Sequence, residues 1–210
     1  MTVETATRAA GYAVPTLQTC LIVGNRSYGV YGGEPVLANC TVADNGNVGV
    51  SGIRPEISNS IVYFNNAGGA NVKGKVALTV SYSDIQGGSA GQGNLNVDPC
   101  FALRGIWASG RGVAVASNQA DPNAVWIAGD YHLASQGWRW SQVQQTWVWD
   151  DRTSPCIDAG DPAAPTGDEK ECGPDDPLSD RARANTRIDM GAYGGTAEAS
   201  LAPKTAAANH

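Results

Sequence analysis

Apolar and polar positions along residues 15–90 follow a period of about twenty. The phrase CLIVGN at 20–25 returns as CTVADN at 40–45 and as SIVYFN at 60–65. Aligned on it, Leu17, Leu37, Ile57 and Val80 form one column and Ile22, Val42, Val62 and Ile85 a second, at spacings of 20, 20 and 23 residues. Cys20, Cys40, Ser60 and Ser83 make a third column and Asn25, Asn45, Asn65 and Gly88 a fourth, while Pro15, Pro35 and Pro55 open the first three units. Units this short hold strand-sized apolar pieces and no helix, which predicts an all-β solenoid whose units are coils of strand. The L-x-x-L-x-L frame of a leucine-rich repeat is missing.

Equivalent residues of successive coils lie one strand spacing apart, about 4.8 Å, so each column becomes a ladder. Small Cys and Ser beside β-branched Ile and Val suit inward ladders along the axis. The Asn/Gly column suits a sharp corner in left-handed backbone, with stacked amides hydrogen-bonded along it. The expected organisation is a lead-in over 1–14 and about four coils over 15–93.

After YSDIQGG (82–88) the period stops. A loop-rich region over 94–196 is expected to close the coils, followed by a flexible tail over 197–210. Within that region GWRWSQVQQTWVWDD (137–151) alternates Trp138 and Trp140, then Trp147 and Trp149, around a polar turn. Period two on both arms predicts a β-hairpin with the tryptophans of each arm on one face.

The phrases GNLNVDPCF, GDYHL, TSPCIDAGDP and RIDMGAYGGTAEAS, in that order after VSYSDIQGG, resemble the C-terminal end of secreted bacterial right-handed parallel β-helix repeat proteins of the pectate-lyase-like superfamily. The resemblance spans roughly residues 15–199. It implies a three-sided parallel β-helix, export from the cell and a terminal closing region. It also implies a Cys100–Cys156 disulfide, because the phrases holding those two residues recur together. It implies no particular reaction, since function resides in sites grafted onto such folds.

Charge narrows the partners. A formal net charge of −6 with a pI near 4.8 argues against nucleic acid and anionic membrane surfaces, both of which reward clustered Lys and Arg. No apolar run approaches the ~20 residues that span a bilayer, and Met1–Gly11 lacks a hydrophobic stretch of signal-peptide type. An exported chain would then carry its signal elsewhere or have been trimmed.

Candidate chemistry is sparse in the coils. Of their ionisable residues only Asp44 and Asp84 are placed to approach one another, two coils apart and in different columns, which supplies no convincing acid–base pair. His132 within DYHL reads as a packing residue. Trp138, Trp140, Trp147 and Trp149 read either as a seal over an end or side of the coils or as a stacking platform for sugar rings. Asp158, Asp161, Asp168 and Asp175 lie in an acidic Gly/Pro-rich stretch that suggests a calcium cage, although neither EF-hand nor nonapeptide spacing is present, and no cofactor is required. Cys20 and Cys40 sit one coil apart, close enough for a bridge, though stacked inward thiols are the commoner outcome, and Cys172 is the odd cysteine or an alternative partner of Cys156.

Three functions fit this reading. The first is an extracellular or cell-surface structural module. It would assemble head to tail, the segment Gly191–His210 of one copy covering the first coil of the next, because 1–14 is too short to cap it. The second is a carbohydrate-binding module using the tryptophans. The third is a fragment of a polysaccharide lyase or hydrolase.

Overall fold

Short strands separated by tight corners bring the chain back over itself every twenty residues. The computed structural model describes residues 13–65, 71–109 and 119–204. Three parallel sheets form the sides of the solenoid. The first stacks β1 (Thr16–Gln18), β4 (Val36–Ala38), β7 (Glu56–Ser58) and β10 (Thr79–Ser81); the second β2 (Leu21–Val23), β5 (Thr41–Ala43), β8 (Ile61–Tyr63) and β11 (Asp84–Ile85); the third β3 (Val30–Tyr31), β6 (Val50–Gly52) and β9 (Val72–Gly74). Three coils are complete and a fourth has two sides, so the solenoid makes about three turns. Leu95 then bridges Asp84 in parallel and extends the stack.

Registers align Leu17, Leu37, Ile57 and Val80 on one side and Ile22, Val42, Val62 and Ile85 on the next. A third column, Val30, Val50 and Val72, completes the interior. All of these side chains belong to one apolar cluster, with Leu17 and Cys20 partly exposed where the first coil ends it. Cys40 lies inside, and burial pushes its thiol up to about 12, leaving it an inert packing group.

The left-handed corner is found at Gly88, as expected, but not at the three asparagines of that column. Left-handed backbone occupies the position before the Asn column, at Gly24, Asp44 and Phe64, and a second corner at Thr19, Asn39, Asn59 and Tyr82. The asparagines themselves turn inward and form the amide ladder. Asn25 Nδ2 donates to Asn45 Oδ1 at 2.8 Å, Asn45 Nδ2 donates to Asn65 Oδ1 at 2.9 Å, and each Oδ1 also accepts the backbone N–H of the residue one coil back. Buried amides with fixed partners set the stacking register, because a slipped coil would leave them unpaired.

The region after residue 94 lies along the side of the solenoid. It contributes antiparallel pairs β12 (Phe101–Leu103) with β15 (Asp130–Leu133), β13 (Ile106–Ser109) with β14 (Ala124–Ile127), and β16 (Arg139–Ser141) with β17 (Thr146–Val148), besides a 3-10 turn, Pro177–Asp180. Its Phe101, Tyr131, Leu133, Cys156, Ile157 and Met190 form a second core with Val23, Ala43 and Ile61, which point outward from the second sheet. That sheet is therefore buried on both faces, and its strands read LIV, TVA and IVY rather than alternating with polar residues.

Polar bonds lock the layer coil by coil. Gly191 N–H donates to Asn59 O, Ala192 N–H to Thr41 Oγ1, and Asn39 Nδ2 to Asp189 O. Arg26 donates to the carbonyls of Gln119, Asp121 and Ala124, and Asp44 accepts from Tyr131 Oη and pairs with Arg104. The expected tail is in fact packed as far as Lys204: Ala199 and Leu201 are fully buried, Leu201 bridges Trp138, and Pro203 bridges Ala182. The lead-in 1–12 and residues 205–210 lie outside the described residues.

Two stability outcomes follow. Asn45→Ala removes the acceptor of Asn25 and the donor to Ile22 O and Asn65, leaving buried polar groups unpaired, with an expected cost of about 2–4 kcal/mol. A lower urea midpoint at unchanged slope checks it. The second outcome concerns Asp84, whose buried carboxyl accepts from Val97 N–H and meets Cys156 Sγ; burial raises it to about 6. The native state thus binds this proton more tightly than the unfolded chain does, and Asp84's contribution to stability falls as pH rises from about 4 to about 6. Asp84→Asn should gain about 2 kcal/mol relative to the parent between pH 4 and pH 7, read from urea unfolding at both values.

Candidate functional site

The tryptophan hairpin forms where the alternation over 137–151 predicts it. Trp140 and Trp147 are cross-strand partners with ring centroids 5.8 Å apart at 70°, an edge-to-face pair. Neither belongs to the two apolar cores, so the pair does not seal the coils. It is half-buried and borders a recess of about 440 Å³ whose other walls are Asp168, Lys170, Ala197 and Glu198. Trp138 and Trp149 hold the neighbouring turn instead: Trp138 Nε1 donates to Asp180, and the Arg181 guanidinium sits 4.2 Å from the centre of the Trp149 ring.

Glu198 joins that recess to a second one. A groove of about 510 Å³ runs between the outer face of the first coil, at Thr19, Leu21 and Val23, and the lateral layer at Tyr131, Gln142, Tyr193 and Glu198. Val23 of the first coil is buried against the layer, while Thr19 of the same coil stays exposed along this space.

Behind Glu198 stands a buried ionic chain. On β15, Asp130 and His132 share one face while Tyr131 and Leu133 take the other into the core. His132 is fully buried, stacked on Tyr193 at 3.6 Å, with Nδ1 2.6 Å from Asp130 Oδ1 and Nε2 3.3 Å from Glu198 Oε2. With Nδ1 turned to Asp130, Nε2 is turned to Glu198. Arg139 bonds Asp130 at 3.0 Å and grips both oxygens of Asp150. Burial raises the Asp130 carboxyl, but His132 and Arg139 outweigh it and hold the group below its ordinary range. Tyr193 is pushed up to about 12 by burial and by the carboxylates Asp130 and Glu198. The chain fixes the half-exposed Glu198 carboxylate at the junction of the two recesses.

Sequence reasoning placed Trp140 and Trp147 here and read His132 as a packing residue. It missed Asp130, Arg139, Lys170, Tyr193 and Glu198. The i, i+2 spacing of Asp130 and His132 on a predicted strand was the one available signal, and the loop-borne groups had none.

Two other groupings expected from the sequence are not seen among the described residues. Cys100 and Cys156 are not bridged: all five cysteines are free thiols. Cys156 is buried with its Sγ 3.4 Å from Asp84, and Cys100, in left-handed backbone, turns its Sγ to the Asp98 carbonyl. The acidic stretch does not gather into a cage, and no group of three or more His, Cys, Asp or Glu able to hold a metal occurs among the described residues. Asp158 is already satisfied by Arg183, by the N–H groups of Thr186 and Arg187 and by the Thr186 hydroxyl. Asp161 Oδ1 accepts from Ala163 N–H, Asp168 lines the tryptophan recess, and Asp175 is exposed.

Searches with the chain against protein-family models, curated proteins and solved structures return no match.

Arg139→Met leaves Asp130 and Asp150 without their cation in a partly buried setting. The expected cost is about 2–4 kcal/mol at pH 7. It should shrink as pH falls toward 4, where losing the cation matters less because the freed Asp130 carboxylate, held low in the parent, takes up a proton. Denaturant unfolding of variant and parent at the two pH values reads the difference.

Proposed function

We propose that this chain is a carbohydrate-binding module of the extracellular space, built on a β-solenoid scaffold. The observation that carries the reading is the Trp140–Trp147 pair, left half-exposed over a recess rimmed by Asp168, Lys170 and Glu198. A flat apolar ring face suits the C–H face of a pyranose, and polar groups around it suit the hydroxyls at its edge. The hairpin is held from behind by Arg139 and at its side by Trp138, so the two rings are fixed before a ligand arrives. The first-coil groove continues past Glu198 and gives a chain-like ligand a path longer than one ring. The resemblance of the DYHL, SPCIDAG and DMGAYGG phrases to secreted parallel β-helix proteins supports an extracellular setting.

A second reading, head-to-tail assembly, is supported by the outer edges of β1, β2 and β3, which among the described residues pair only toward the second coil. Such edges are templates for another strand. Sedimentation at rising concentration would show growth beyond the monomer under that reading.

The binding reading is tested by titrating oligosaccharides of several backbone types while following tryptophan fluorescence. Trp140→Ala and Trp147→Ala should each weaken binding about tenfold or more, whereas Trp149→Ala, 53% exposed but outside the recess, should leave it within about twofold. Equal loss from all three variants, or binding that ignores all three, would contradict the assignment.

A further inference from the structure

The charges around the tryptophan recess are unbalanced. Asp168 is exposed and its carboxylate has no hydrogen bond or ion pair among the described residues. Glu198 presents a carboxylate that is 41% exposed and bonded through one oxygen only, to His132. Among the described residues the one cation of the rim is Lys170, whose ammonium lies 3.0 Å from Asp176 Oδ2, a residue outside the recess. Two carboxylates therefore face the Trp140–Trp147 pair with their nearest cation already engaged.

Aromatic faces beside carboxylates favour cations. The ring quadrupole attracts a positive charge lying over the face, and a carboxylate at its edge adds a charge-assisted hydrogen bond to an N–H donor. The same layer shows the first of these contacts internally, where Arg181 lies over Trp149. A uronic acid placed on the pair would bring its own carboxylate toward Asp168 and Glu198, and like charges at an interface reject a partner more effectively than missing contacts do. The formal charge of −6 adds long-range attraction for cationic ligands at low salt.

We propose that the recess selects glycans bearing free ammonium groups, polymers of 2-amino sugars, over neutral and uronic-acid glycans. Trp140 and Trp147 stack the ring, and Asp168 and Glu198 take the ammonium. The inference rests on the carbohydrate-binding reading and adds the charge of the ligand to it. His132 is a positioning residue, holding Glu198 at the rim from inside the layer.

The test compares four probes by calorimetry at pH 6 and low salt: a glucosamine hexamer, an N-acetylglucosamine hexamer of the same backbone without the charge, an oligogalacturonate, and choline. The glucosamine hexamer should bind at least about tenfold more tightly than the acetylated one, and the ratio should fall as salt rises. Asp168→Asn, at an exposed position that leaves folding intact, should lower that ratio by at least about threefold. Equal binding of the two hexamers, or tighter binding of the oligogalacturonate, overturns the selectivity while the carbohydrate reading stands. Binding of choline without either hexamer overturns the sugar ligand and keeps the cation site. Absence of binding by any of the three oligomers overturns the carbohydrate reading itself.

Discussion

The structure depends on one sheet being buried from both sides. β2, β5, β8 and β11 face the solenoid axis with Ile22, Val42, Val62 and Ile85, and face the lateral layer with Val23, Ala43 and Ile61. Without the layer, those outward side chains would lie open to water over successive coils, an apolar surface of the kind that drives aggregation. Without the sheet, the layer's two-stranded pieces would have nothing to pack against, and isolated hairpins are marginal in water. Each half thus supplies the apolar surface that the other lacks.

That mutual burial also builds the recess. β15 sends Tyr131 and Leu133 into the shared core, which fixes the strand and points Asp130 and His132 the other way. His132 and Arg139 then organise carboxylates on either side of the hairpin, and the segment that ends with the buried Ala199 and Leu201 brings Glu198 beside Trp140 and Trp147. The buried acids behave in two ways. Asp84, Glu169 and Asp189 are raised, first of all by burial, while Asp130 and Asp158 are lowered because arginine and hydrogen-bond donors outweigh burial. Of the two lowered acids, Asp130 is the one tied to the recess, and it retains its charge where the raised acids tend to lose theirs.

The coils were legible because a solenoid repeats its physics. Leu37, Ile57 and Val80 are equivalent in environment and so in type, and Asn45 and Asn65 recur because each needs the other as a partner. The hairpin was legible from period two. The lateral placement was not: Arg26 with Ala124, Asp44 with Arg104 and Asn59 with Asp161 pair residues 60 to 102 apart, and such contacts leave no periodic trace. The near-continuous apolar runs LIV and IVY were the overlooked sign that this sheet has no solvent face. The acidic stretch could not show that Asp158 is taken up by Arg183 and the Arg187 N–H, 25 and 29 residues downstream.

The central claim, that solenoid and lateral layer are one cooperative unit joined through the doubly buried sheet, is tested most directly by native-state hydrogen exchange under rising denaturant. Amides of 41–43 and 61–63 in the sheet, and of 131–134 and 189–192 in the layer, should converge on a single opening free energy equal to that of global unfolding. A layer that exchanges through a separate, lower-energy opening while the sheet stays protected would contradict it.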